Sequence, residues 1–193
     1  MIERVDRRQP IPPEPDRSLI DRARHGDLEA FEEIVRARMD ATYRLTYAIL
    51  GDPAEARDAA QEAFVAAWRR IGDLREADRF DAWFQRMTVN AARMAHRGRR
   101  RRGVREIPAS RVQGMADLPA TASPAEHDAR TLEAAMRRLD IDQRSILVLH
   151  HLDGRPLAEL AEILAIPVGT VKSRLHTARQ ALQAAIDAEA VDS

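Results

Sequence analysis

Eight arginines, Arg86, Arg93, Arg97, Arg99, Arg100, Arg101, Arg102 and Arg105, stand between Ala82 and Arg105, a window that holds no acid. Elsewhere acids are plentiful: eighteen precede the window, two fall in 106–125 and eleven in 126–193. Such a run suits a polyanion, because each phosphate it neutralises releases condensed counterions. The competing reading is a solvated helix end with a basic tail. The formal net charge of zero thus conceals a chain whose charges are segregated. A second polar set, Thr170, Lys172, Ser173, Arg174, His176, Thr177 and Arg179, lies within another acid-free stretch, Ile163 to Ala185. Other chemistry is poorly provided for. Cysteine is absent, which excludes disulfides and thiolate metal sites and fits a reducing cytoplasm. The only His pair, His150-His151, is adjacent in sequence, and neighbours on a helix face different ways. Neither a nucleophile with its base nor a phosphate-cradling glycine loop is present. These residues predict binding without catalysis, metal or cofactor.

The elements that must position them read as helices throughout. Ala, Leu, Arg and Glu dominate, and no stretch alternates apolar and polar residues for long. Ser18 is placed to cap a helix carrying Leu19, Ala23, Leu28, Phe31, Ile34 and Val35. A second helical stretch runs through Tyr43, Tyr47 and Leu50 to Gly51-Asp52-Pro53. From Ala54 to Ile71 an apolar stripe of Ala60, Phe64, Ala67, Trp68 and Ile71 leaves Glu55, Asp58, Gln61, Glu62 and Arg69 off its face. A fourth helix carries Phe80, Trp83, Phe84, Met87, Ala91 and Met94 into the arginines. Gly103 to Pro124, with Pro108, Gly114 and Pro119, reads as a flexible linker.

Beyond the linker come one helix with Leu132, Ala135, Met136 and Leu139 and another with Ile146, Leu147, Leu149 and Leu152, closed by Asp153-Gly154. Leu157 to Leu182 then patterns as a helix-turn-helix. Ala165-Ile166-Pro167 makes the turn, and Val171, Leu175, Ala178 and Leu182 form the buried side of the second helix. The polar set from Thr170 onward lies off that side, where a major-groove helix meets base edges and phosphates; an ordinary helical hairpin is the alternative. All aromatic residues fall between Phe31 and Phe84, which predicts an aromatic core in one domain, an aliphatic core in the other, and two independent domains. The expected architecture is all-α: a Pro-rich lead over 1–17, a helical domain over 18–102, a linker over 103–125, a helix-turn-helix domain over 126–186 and a tail over 187–193. No stretch approaches the ~20 apolar residues of a membrane span.

Three strings carry a family resemblance. Ile166-Pro167-Val168-Gly169-Thr170-Val171-Lys172-Ser173-Arg174-Leu175-His176-Thr177-Ala178-Arg179 resembles the minus-35 reading helix of extracytoplasmic-function (ECF) sigma factors of the sigma-70 family. Asp58 to Trp68 resembles their polymerase-binding helix, and Phe80 to Asn90 with the following arginines resembles their promoter-melting segment. The resemblance implies a transcription initiation factor, not an enzyme, that binds core RNA polymerase at its beta-prime clamp helices and beta flap, binds promoter DNA, and is held by an anti-sigma factor. Asp58, Gln61, Glu62 and Trp68 would face polymerase. Phe80, Arg86, Asn90, Arg93 and Arg97 would meet the minus-10 element, with Phe80 and Asn90 at a flipped base. Thr170, Lys172, Ser173, Arg174, His176 and Thr177 would read the minus-35 element. Arg57, Met94, Thr177, Ala165 and Pro156 depart from common family choices; Ala165 stands at a left-handed turn position and costs roughly 1 kcal/mol there. A helix-turn-helix regulator or a sigma mimic that titrates an anti-sigma factor are the other readings.

Overall fold

The computed structural model describes residues 15–103 and 124–191, which are helical with no strand among them. Acids start many of the helices. Asp16 accepts from the Ser18 N–H at 3.2 Å and caps α1, Arg17–Arg24. Asp27 accepts from the Ala30 N–H at 3.0 Å and caps α2, Leu28–Leu50. Asp52 takes the N–H groups of Ala54 and Glu55, both at 2.9 Å, at the head of α3, Pro53–Arg70. Each satisfies donors that have no partner inside the helix. Two short 3₁₀ turns, Ile71–Asp73 and Ala77–Arg79, lead into α4, Phe80–Gly103.

After the linker come α5, Pro124–Arg138, and α6, Ile141–Leu147, the latter opened by a reciprocal capping box of Asp140 and Gln143. A wide turn over Val148–Leu152 and Gly154 at φ +71° then lead to α7, Leu157–Leu164, and α8, Val168–Val191.

Several boundaries differ from expectation. Asp16, not Ser18, is the first cap, and Ser18 lies inside α1. The helix expected from Leu19 through Val35 is broken at Gly26, φ +89°, and α2 then runs unbroken where two helices were expected. Leu28 is the reason the periodicity misleads: it continues the apolar spacing of α1 yet is 54% exposed. Helix α4 reaches Gly103 and α5 starts at Pro124, both positions assigned to the linker. The remainder of that linker, 104–123, and residues 1–14 of the Pro-rich lead lie outside the described residues.

Two buried clusters hold the molecule. The first joins Ile20 and Ala23 of α1, Phe31 and Ile34 of α2, Phe64 and Ala67 of α3, and Phe80 and Phe84 of α4. Phe64 meets Phe84 with ring centroids 4.9 Å apart, and Phe80 stacks on Phe84 at 5.7 Å. The second is aliphatic, as expected, but it is not confined to the C-terminal helices. Leu45, Ile49 and Leu50 of α2, Ala59 and Ala63 of α3, and Val89, Ala91 and Ala92 of α4 belong to the same cluster as Ile146, Leu149, Leu160, Ile163, Val171 and Leu175. One apolar cluster thus crosses between the two halves, the second packing on α2 and α4 of the first.

Candidate nucleic-acid interface

Helix α3 buries Ala56, Ala59, Ala60, Ala63, Phe64 and Ala67. That leaves Asp58, Gln61 and Glu62 exposed. Among the described residues none of these three has a hydrogen-bond or ion-pair partner, so folding makes no use of their polar ends. Trp68 is half-buried, its ring 5.0 Å from that of Phe31. The four residues expected to face polymerase thus share one helix, three of them open to solvent.

Helix α4 presents Arg86, Asn90 and Arg97 to solvent, with Arg93 half-buried. Phe80 is different: it is 1% exposed. It occupies the first position of α4, stacked on Phe84 one turn later, with the Arg38 guanidinium of α2 6.0 Å from its ring centroid. The expected contact of Phe80 with a flipped base is therefore corrected; the ring is closed off by its own core. Trp83 is half-buried: it packs against the same core and also lines a groove with Leu74, Arg79, Arg86 and Glu162. Its position three residues after Phe80 turns it toward the helix flank, a signal too weak to choose between the two rings in advance.

Four arginines of α4 make contacts within the chain. Arg86 donates to the main-chain carbonyl of Glu162 through Nε at 3.2 Å and also through Nη2. Arg93 Nε lies 2.8 Å from Asp142 Oδ1. Arg97 Nη2 approaches Met94 Sδ at 2.9 Å, and Arg99 pairs with Glu55 at 3.3 Å.

The helix-turn-helix is formed by α7 and α8. Ala165 ends α7 in the left-handed region, φ 54° and ψ 47°, and the Ile166 N–H closes the turn on the Ala161 carbonyl at 3.1 Å. That bond pattern satisfies the last carbonyls of α7 without a glycine. On α8, Val171, Leu175 and Ala178 are buried. Lys172, Ser173, Arg174, His176 and Thr177 are exposed and Thr170 is half-buried. The Ser173 hydroxyl donates to the Thr170 carbonyl at 3.0 Å. Arg179 donates to His151 Nε2 at 3.2 Å. Burial, then the neighbouring His150 and Arg179, holds the His151 pKa below its usual value, so the ring accepts this bond as the neutral form. The expected minus-35 residues therefore lie together on one acid-free flank.

Residues 34–102 match the family described as Sigma-70 region 2, and residues 129–182 match Sigma-70, region 4. The chain is 33% identical over 173 residues to the ECF RNA polymerase sigma factor SigW of Bacillus subtilis (strain 168), covering 85% of this chain and 92% of SigW. It is similar to the solved structure of CnrH in complex with the cytosolic domain of CnrY, with a TM-score of 0.65 and 26% identity over 90% of this chain and 98% of that one. The sigma factor RpoE of Bartonella quintana, in complex with the anti-sigma factor NepR, shares the fold at a TM-score of 0.60 and 21% identity, over 83% of this chain and 98% of that one. The chain belongs to the sigma-70 family of RNA polymerase sigma factors, in its ECF group.

Proposed function

We propose that this sigma factor joins core RNA polymerase through Asp58, Gln61, Glu62 and Trp68 of α3, at the beta-prime clamp helices. Arg86, Asn90, Arg93 and Arg97 of α4 serve the minus-10 element, and Thr170, Lys172, Ser173, Arg174, His176 and Thr177 of α8 serve the minus-35 element. In this reading residues 18–102 and 126–186 act as separate readers, the second also meeting the beta flap. The protein works in the cytoplasm without catalytic activity of its own and is restrained by an anti-sigma factor.

The observation that carries the reading is the division of α8. Val171, Leu175 and Ala178 are buried while Lys172, Arg174, His176 and Thr177 are exposed with no acid among them. A solvated helix in a charge-rich chain has no need to exclude acids over more than twenty residues, whereas a phosphate-facing one does. A simple helix-turn-helix regulator would use α7 and α8 but leave the open polar face of α3 without purpose.

Run-off transcription with core polymerase tests the reading directly. Gln61→Ala with Glu62→Ala should weaken core binding while the melting temperature stays nearly unchanged, since exposed substitutions shift stability by less than ~0.5 kcal/mol. Lys172→Ala with Arg174→Ala should reduce use of the minus-35 element and flatten the salt dependence of duplex binding by roughly 0.9 in log–log slope per lost phosphate contact. Equal output from promoters with and without that element would contradict the assignment of α8.

A further inference from the structure

His150 and His151 are adjacent in sequence, yet the fold brings their rings together. After α6 the Asp153 N–H reaches back five residues to the Val148 carbonyl at 3.0 Å, one residue more than in an α-helix, and such wide turns recur at functional positions. The turn sets the two rings edge-on, with centroids 4.8 Å apart. His150 is anchored through Nδ1, which meets the Arg155 carbonyl at 3.1 Å. His151 is exposed, and its Nε2 accepts from the Nε–H of Arg179 on α8 at 3.2 Å. A main-chain carbonyl, two imidazoles and a guanidinium thus form one line from the turn to α8.

The type of partner sets Arg179 apart. Arg22, Arg24, Arg79 and Arg93 each lie against a carboxylate. Among the described residues Arg179 has no ion-pair partner, and its hydrogen bond goes to an imidazole. A carboxylate would neutralise the guanidinium, whereas a neutral ring orients it and leaves its whole charge for another group. Burial, with His150 and Arg179 beside it, keeps the His151 pKa low and the ring neutral. With Nε committed to His151, the two Nη groups remain, and their N–H bonds match two oxygens of one phosphate.

The position of Arg179 on α8 says where that phosphate lies. Lys172, His176 and Arg179 follow at i, i+4 and i+7 and are all exposed, so they share one face of the helix. No acid occurs from Ile163 to Ala185. The first turns of a groove-reading helix meet base edges. Arg179 stands seven residues beyond Lys172, ~10 Å along the axis at ~1.5 Å each. There a side chain has passed the bases and reaches the backbone, where contacts fix register rather than sequence.

We infer that Arg179 grips a backbone phosphate flanking the minus-35 bases and that His151 is the positioning residue that aims it. The residues assigned above to the minus-35 element end at Thr177, so this contact lies beyond them on α8 and recruits the turn before α7 to the DNA-binding surface. It rests on the reading of α8 as the minus-35 helix.

Methylphosphonate scanning tests it. Full-length protein in complex with core polymerase is titrated onto duplexes carrying the minus-35 element, in which one neutral methylphosphonate replaces a single phosphate and is moved along both strands. One linkage should cost the wild type about tenfold in affinity, the scale of a charged hydrogen bond. Arg179→Ala should bind the unmodified duplex about tenfold more weakly, be indifferent to that linkage, and show a log–log salt slope flatter by ~0.9. His151→Ala should lessen the cost of the linkage about threefold or more. His151→Gln should restore it, because its amide oxygen also accepts from Nε–H. Arg179 and His151 are both exposed, and matching melting temperatures certify that each variant is folded. A purely structural His151 would change stability and leave the cost of one linkage alone. If Arg179→Ala responds to every linkage as wild type does, the contact is overturned. The reading of α8 survives that result where Lys172→Ala silences a linkage of its own, and falls with it where no linkage matters to any variant. A His151→Ala protein with the full wild-type cost at the Arg179 linkage overturns the positioning role.

Discussion

His96 shows how a single residue on α4, the helix proposed to serve minus-10 DNA, carries a pH dependence. Burial, and then the charges of Arg99, Arg144 and Arg100, depress its pKa below the ordinary 6.5. Its Nδ1 is buried without a hydrogen-bond partner. The unfolded chain therefore takes up a proton near pH 6.5 that the folded chain still refuses, and stability falls as pH drops below that value toward the depressed one. His151, also depressed, adds a loss of the same sign. Thermal melts at pH 7.5 and 5.5 should show wild type losing more stability than His96→Gln, and the pair His96→Gln with His151→Gln losing least. Equal losses in all three would contradict the effect. At this scale the sequence was partly legible. Charge and spacing singled out Lys172, Arg174 and the α4 arginines, and Lys172, Arg174, Arg86 and Arg97 are exposed. Phe80 was assigned to DNA by the family resemblance, which carries nothing about burial; its enclosure is set by stacking on Phe84 and by Arg38 of α2 over its ring.

The elements were legible where local chemistry sets them. Gly51-Asp52-Pro53 marks the start of α3 because its cap and first-turn proline act within four residues. The break at Gly26 was missed because apolar spacing ran across it, and the continuity of α2 was missed because nothing between Val35 and Tyr43 signals either outcome. The turn between α7 and α8 forms as expected despite Ala165, and its geometry supports a quantitative prediction. An L-residue in the left-handed region costs ~1 to 2 kcal/mol, while glycine brings ~0.5 to 1 kcal/mol of extra freedom to the unfolded chain. Ala165→Gly should therefore stabilise the protein by about 0.5 kcal/mol and raise its melting temperature by roughly 1 to 2 °C. Since the turn already has this shape, duplex binding through Lys172 and Arg174 should stay unchanged. A lower melting temperature would show that the alanine methyl makes a packing contribution larger than the strain.

At the scale of the whole molecule, the two-domain layout was legible from the aromatic segregation and the proline-rich gap, but the docking of the domains was not. Its contacts are made by apolar residues of α2 and α4, which read as ordinary helix faces, and by Arg144 and Arg155, which read as solvated charges until partners up to 95 residues away along the chain are brought to them. The docked form also sharpens what residues 104–123 must do. They join domains that are in contact in this structure; in the proposed function they must let α4 and α8 serve two promoter elements that, in this family, lie more than one duplex turn apart, and a turn is ~34 to 36 Å. About twenty residues reach at most ~66 to 72 Å however they are arranged. Removing ten of them around Gly114 leaves at most ~33 to 36 Å, which is too short to span the elements with any departure from a straight path. The shortened protein should keep its helicity and melting temperature and should bind core polymerase through Asp58, Gln61 and Glu62 with unchanged affinity. Run-off transcription from promoters that need both elements should fall by about tenfold or more, while extended single-stranded minus-10 templates, which do not engage α8, should be used almost normally. Full activity on two-element promoters with core affinity intact would exclude the spanning role of 104–123.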